Sequence, residues 1–184
     1  MKKYLAIMMV LCGLLISANA WAVPLSITPA TTPQWTGNDT SQKDINDAIA
    51  SILSVTAKEL YKSNVGGVEE GALALSYETE FTASPTKPSG AIINYFGGDY
   101  INDPQYLLVK DGRSEPAWYL FDLTNLWNGK DKLVLSGFWL NEYDEGRISH
   151  VTLYGKQATQ VPEPATLILL GLGLLGIAGF RRKK

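Results

Sequence analysis

The chain has 184 residues, 46% of them hydrophobic and 18% charged, with one cysteine, one histidine and a formal net charge of −2. This length suits one domain, and a disulfide framework or a zinc site of the usual His/Cys type lacks the residues to build it. The acidic balance argues against a nucleic-acid partner, because like charge repels phosphate backbones.

Lys2 and Lys3 precede an apolar stretch from Leu5 to Ile16, and Ser17-Ala18-Asn19-Ala20-Trp21-Ala22 then offers small-residue cleavage sites after Ala20 or Ala22. This is the layout of a cleaved secretory signal peptide, assigned to residues 1–22 with Ala22 as the preferred last residue. An acylated Cys12 is the competing reading. It fits less well, because Leu11 stands where a small residue is needed and the apolar region would be cut in half. Cys12 is therefore expected to leave with the signal.

Residues 23–160 form the exported part. Six of the sixteen Lys and Arg lie in the two terminal segments, which leaves ten against seventeen Asp and Glu and a net charge of −7 between Val23 and Gln160. Without cysteine, this part must be held by an ordinary hydrophobic core. Val23 to Gln34 is rich in Pro, Thr and Ser and reads as extended chain. A helix start follows at Asn38-Asp39-Thr40-Ser41, where Ser41 and Asp44 stand at capping-box spacing with Asp in place of Glu or Gln. Ile45, Ala48, Ile49 and Ile52 recur at i, i+3, i+4 and i+7, which predicts about three helical turns with one apolar face laid against a sheet.

From Val65 the pattern turns to β. Leu73, Leu75, Tyr77, Thr79 and Phe81 alternate with Ala74, Ser76, Glu78 and Glu80, which predicts a half-buried strand. Further strands are expected at Ala91–Phe96, Gln105–Lys110, Ala117–Leu123, Lys132–Leu140 and Arg147–Tyr154. Gly97-Gly98, Asp111-Gly112, Asn128-Gly129 and Glu145-Gly146 separate them and permit the positive φ angles of tight connections. Six to eight short strands with one early helix predict a mainly β fold, a single antiparallel β-sandwich of jelly-roll-like form.

Beyond this domain, Val161-Pro162-Glu163-Pro164 leads into an apolar run from Ala165 to Phe180 and then Arg181-Arg182-Lys183-Lys184. The apolar run reads as a transmembrane helix and the four cations as a stop on the cytoplasmic side. Sixteen residues at about 1.5 Å each reach roughly 24 Å of a hydrocarbon core about 30 Å thick, which suits a temporary hold. A plain tail anchor is the reading that needs no processing enzyme. The tail resembles the PEP-CTERM sorting signal of Gram-negative bacteria in the triplet Pro162-Glu163-Pro164, the pair Ala165-Thr166, the Gly/Leu-rich helix and the basic end. That resemblance implies recognition by an exosortase, a precursor anchored in the inner membrane, and release to a cell surface or medium rich in exopolysaccharide.

A second resemblance runs from about Trp35 to Gly155. Leu107-Leu108-Val109-Lys110-Asp111-Gly112, Pro116 to Leu123 and Ile148-Ser149-His150-Val151 are similar to an ectodomain type found among PEP-CTERM exported proteins. No agreed activity comes with it, so no catalytic residue is carried over.

Three features bear on chemistry. Trp35, Trp118, Trp127 and Trp139, with Tyr119, Phe121, Phe138, Tyr143 and Tyr154, either fill the space between two sheets or present rings to sugars. Trp127, in the turn-like Leu126-Trp127-Asn128-Gly129, is the candidate ligand-binding residue. Asp99, Asp103, Asp144 and Glu145 sit in expected loops and are candidate ligands for a structural calcium ion, with solvated acidic loops as the alternative. His150 stands in an expected strand beside Ser149, and neighbouring strand residues point to opposite faces, so the pair reads as structural rather than catalytic. The whole describes a noncatalytic exported surface or matrix protein that interacts with exopolysaccharide or with matrix proteins. A secreted hydrolase acting on matrix glycans is the competing class, and it requires two carboxylates held about 5 to 9.5 Å apart across a cleft.

Overall fold

The computed structural model describes residues 23–32, 34–39, 41–53, 56–111, 114–140 and 146–159. The helix forms where the apolar spacing places it. In α1 (Gln42–Ile52) the Ser41 side chain caps the first turn, accepting the Asp44 N–H at 3.2 Å and donating its hydroxyl to the Asp44 carboxylate at 2.6 Å. Asp thus serves where a capping box usually carries Glu. Ile45 and Ile49 are buried on one face, as the i, i+4 spacing requires.

Among the described residues, ten strands build two sheets. They are β1 (Leu25–Ile27), β2 (Gln34–Gly37), β3 (Lys58–Asn64), β4 (Glu69–Glu70), β5 (Tyr77–Thr82), β6 (Gly90–Tyr95), β7 (Tyr100–Lys110), β8 (Trp118–Asp122), β9 (Leu133–Leu135) and β10 (His150–Ala158). The four-stranded sheet runs β1-β9-β6-β5 and the six-stranded sheet β2-β8-β7-β10-β3-β4. The mainly β class with one helix holds among the described residues. The wholly antiparallel expectation does not: β1 pairs parallel to β9, Leu25 opposite Leu133 and Ile27 opposite Leu135. A parallel pair needs a long crossover, and almost the whole domain serves as that connection. This pair and the strand count depart from the eight-stranded antiparallel jelly-roll scheme.

The strand faces explain the layers. In β7, Leu107 and Val109 point between the sheets and pack with Phe121, Val151 and Leu153, together with Ile27, Ile93, Leu133 and Leu135 of the other sheet. The alternate residues Tyr106 and Leu108 point outward and meet Ile45 and Ile49 of α1, joined by Trp118, Leu120 and Tyr154. The six-stranded sheet is therefore buried on both faces, and its central strands read as continuous apolar runs. Burying each of Ile45 and Ile49 contributes on the order of 1.5–3 kcal/mol.

Most of the aromatic load fills this core. Tyr119 stacks on Phe121 with ring centroids 6.1 Å apart, and Phe138 meets both edge-on. Tyr77 packs among Tyr61, Tyr95 and Trp127. Its hydroxyl donates to the Gly129 carbonyl at 2.6 Å and accepts the Ile101 N–H at 2.9 Å, which ties β5 of one sheet to β7 of the other.

The expected strand over Leu73–Phe81 is half turn. Ser76 N–H bonds Leu73 O and Ala74 N–H bonds Gly71 O, so the chain coils before β5 begins and Leu75 is thrown outward. β1 falls within the stretch expected to be extended, whereas strands β2 to β4 were not legible in the sequence. Lys58-Glu59-Leu60-Tyr61-Lys62-Ser63-Asn64 lacks clean alternation because a register shift at Leu153/Tyr154 of β10 disturbs its pairing.

Candidate functional site

Trp127 is not an exposed ligand-binding ring. It is 7% exposed, lies in the core between the sheets, donates its indole N–H to the Asp131 carbonyl at 2.7 Å and faces Tyr77 at 6.1 Å. The hydrogen-bonded turn lies one step earlier than the expected Leu126–Gly129, with Leu126 and Trp127 N–H groups both bonding Leu123 O, and it leaves Leu126 outside while the indole lies inward.

The candidate calcium ligands do not assemble among the described residues. Asp99 precedes β7 and accepts the Gln157 amide at 2.7 Å, while Asp103 lies exposed within β7. Asp144 and Glu145 fall outside the described residues. No group of three or more His, Cys, Asp or Glu gathers among the residues described. Asp111 is buried and accepts the Ser114 N–H at 2.7 Å.

His150 is 6% exposed on β10, its Nδ1 3.4 Å from Ser149 Oγ, which itself donates to the Lys110 carbonyl at 3.0 Å. Burial, then the charges of Lys62 and Lys110, push the imidazole down to about 4. A neutral, enclosed ring beside a hydroxyl already committed to a carbonyl has the features of a structural histidine.

The surface that gathers ligand-like chemistry lies at the open end of β5 and β6. Leu75 is 99% exposed and Phe96 68% exposed, and both line one depression with Ala74, Tyr77, Glu69 and Glu78. The Phe96 N–H bonds Ser76 O at 2.9 Å, which clamps the end of β6 to the turn that carries Leu75. Beneath, burial pushes the Tyr77 phenol above its usual range, so it remains a neutral donor. Glu69 Oε1 faces inward and accepts from the Thr79 N–H at 3.3 Å, Ser63 Oγ at 3.3 Å and, at the long limit of 3.5 Å, Tyr61 Oη. Sequence reasoning missed this place. A ring directly before Gly97-Gly98 was a signal for Phe96, whereas alternation assigned Leu75 to the core.

The two terminal signals lie elsewhere. Ala20, Ala22, Pro162, Glu163, Pro164 and the basic group Arg181, Arg182, Lys183 and Lys184 lie outside the described residues, as does the apolar run 165–180. Among the described residues no helix is long and apolar enough to cross a membrane. The PEP-CTERM protein-sorting motif family matches residues 160–183.

The chain carries a PEP-CTERM sorting tail. The motif implies an exported, membrane-anchored precursor processed by an exosortase. No curated protein and no solved structure matches the chain. The PEP-CTERM tail therefore assigns delivery, and the folded domain must be read from its own surface.

Proposed function

We propose that the domain delivered by this tail is a noncatalytic cell-surface or matrix module that contacts exopolysaccharide through the depression lined by Leu75 and Phe96. The observation that carries the reading is the largely exposed Phe96 ring beside Glu78 and Glu69. An exposed aromatic face stacks on the C–H face of a sugar ring, and neighbouring carboxylates accept hydrogen bonds from hydroxyls. The net charge of −7 between Val23 and Gln160 favours a neutral glycan over an anionic one. Neighbouring matrix proteins are the further partners of such a module.

The second reading, a hydrolase acting on matrix glycans, draws on the fact that Glu69 and Glu78 line the same depression. Against it, Glu69 spends its Oε1 on three internal donors. Glycan-array binding of the exported domain and of Phe96→Ala tests the proposal: about a tenfold loss on substitution supports it, and unchanged binding removes the site. Release of reducing sugar by the wild type, abolished in Glu78→Gln, would instead establish the hydrolase.

A further inference from the structure

β10 is held unevenly along its length. From His150 to Tyr154 it runs between two partners, β3 on one side and β7 on the other, and Gly155 pairs with β3 alone. Lys156, Gln157 and Ala158 pair with β7 alone, opposite Asn102, Ile101 and Tyr100, and they follow a register shift after Tyr154. Burial changes at the same point: residues 151–155 are all buried, whereas Lys156 and Gln157 are exposed. The side-chain bond that fastens this end is Gln157 to Asp99, at 2.7 Å on the surface. A strand end with one partner, exposed hydrogen bonds and little apolar burial opens locally at far lower cost than the domain unfolds.

Three residues, Thr159, Gln160 and Val161, separate this end from Pro162-Glu163-Pro164. Extended chain spans at most about 3.6 Å per residue, so Pro162 lies within roughly 14 Å of Ala158. The apolar run begins directly after the triplet, at Ala165. An enzyme that takes its substrate as an extended segment gains main-chain hydrogen bonds from each free residue beside the motif, and here only the N-terminal side can supply them. With β10 fully paired, that side offers three residues, Thr159 to Val161.

We propose that Lys156, Gln157 and Ala158 are a releasable extension of the sorting signal: the processing enzyme engages the chain with these residues peeled from β7, while the part of β10 doubly paired through Tyr154 stays folded. This rests on the exosortase reading of the tail. It makes the junction of β10 and β7, rather than the triplet alone, part of the surface the enzyme meets.

The test uses the full precursor in its exporting host, with conversion to the shorter form followed by mass. Asn102→Cys with Lys156→Cys places two thiols on directly opposed, exposed positions, and the sole natural cysteine, Cys12, lies in the signal segment. The oxidised pair is expected to slow processing about tenfold, and a Gly/Ser insertion of about six residues between Thr159 and Gln160 to restore it, since flexible linkers of that length add reach. Asp99→Ala, which frees Gln157 without a cross-link, is expected to raise the rate about twofold. Wild-type processing with an equally fast oxidised variant, or a slowed variant that the insertion does not rescue, overturns the proposal while leaving exosortase sorting intact. If the oxidised pair does not form, an unchanged or lower rate in Asp99→Ala overturns it. An uncut wild type overturns the sorting reading, and this proposal with it.

Discussion

Tyr61 of β3 and Thr79 of β5 join the two sheets through a 2.6 Å hydrogen bond between their hydroxyls, at the side of the sandwich where β4 brings Glu69 beside both. Tyr61 is fully buried, and burial pushes its phenol well above the usual range. The pair is thus a neutral clasp between the sheets, a second polar tie beside that of the Tyr77 hydroxyl. Tyr61→Phe keeps the ring and loses the clasp, with an expected cost of about 1–2 kcal/mol because the Thr79 hydroxyl is left without this partner. Urea unfolding of Tyr61→Phe, Thr79→Val and the double variant checks it. Additive losses would show that the two hydroxyls do not act together.

Gly129 and Gly66 both adopt a positive φ, +78° and +73°. A Cβ at Gly129 would strike the Ile101 carbonyl, whereas one at Gly66 meets nothing within 4 Å. Gly66→Ala should cost only the left-handed penalty, about 1–2 kcal/mol. Gly129→Ala must also displace the backbone that receives the Tyr77 hydrogen bond, so a loss at least about 2 kcal/mol larger is expected. Equal melting temperatures for the two variants would contradict the packing described around Tyr77.

The enclosure of His150 predicts a pH dependence. Its folded value is depressed from 6.5 to about 4, burial being the larger cause and Lys62 and Lys110 adding to it. Between those values the unfolded chain binds a proton that the folded chain does not, so unfolding takes up a proton. Stability is then full above about pH 6.5 and falls as pH drops toward 4, by on the order of 3 kcal/mol. His150→Gln should flatten that part of the curve. Chemical unfolding at pH 7 and pH 4.5 compares the two, and parallel curves would mean that His150 is not the group responsible.

These residues also mark what a sequence can and cannot disclose. The helix was readable because Ser41, Asp44 and the spacing of Ile45 and Ile49 agree with one another, and the sorting tail because the Pro162-Glu163-Pro164 triplet, the apolar run and the basic end stand together. Trp127 was misplaced because turn chemistry fixes the backbone and not the direction of an indole that can find a buried carbonyl at Asp131. Leu75 was assigned to the core because strict alternation conceals a turn, and the hydrogen bonds of Ser76 and Ala74 decide otherwise. Tyr106 and Leu108 break the alternation of β7 because α1 covers the face that alternation would leave to solvent.

Pro162-Glu163-Pro164 and the basic group make separable predictions. Alanine at all three motif positions should leave export intact and block the second cut, seen as an unchanged precursor mass after signal removal. Deletion of Arg181 to Lys184 should impair retention in the membrane or processing, because those cations hold the stop. Normal maturation of the deletion variant would contradict that role.

The most direct measurement is the intact mass of the protein recovered from the surface or medium of its native host. Two-ended processing predicts a species that begins near Val23 and ends between Gln160 and Pro164. A species still carrying Leu167 to Lys184 would contradict exosortase sorting and describe a resident membrane protein.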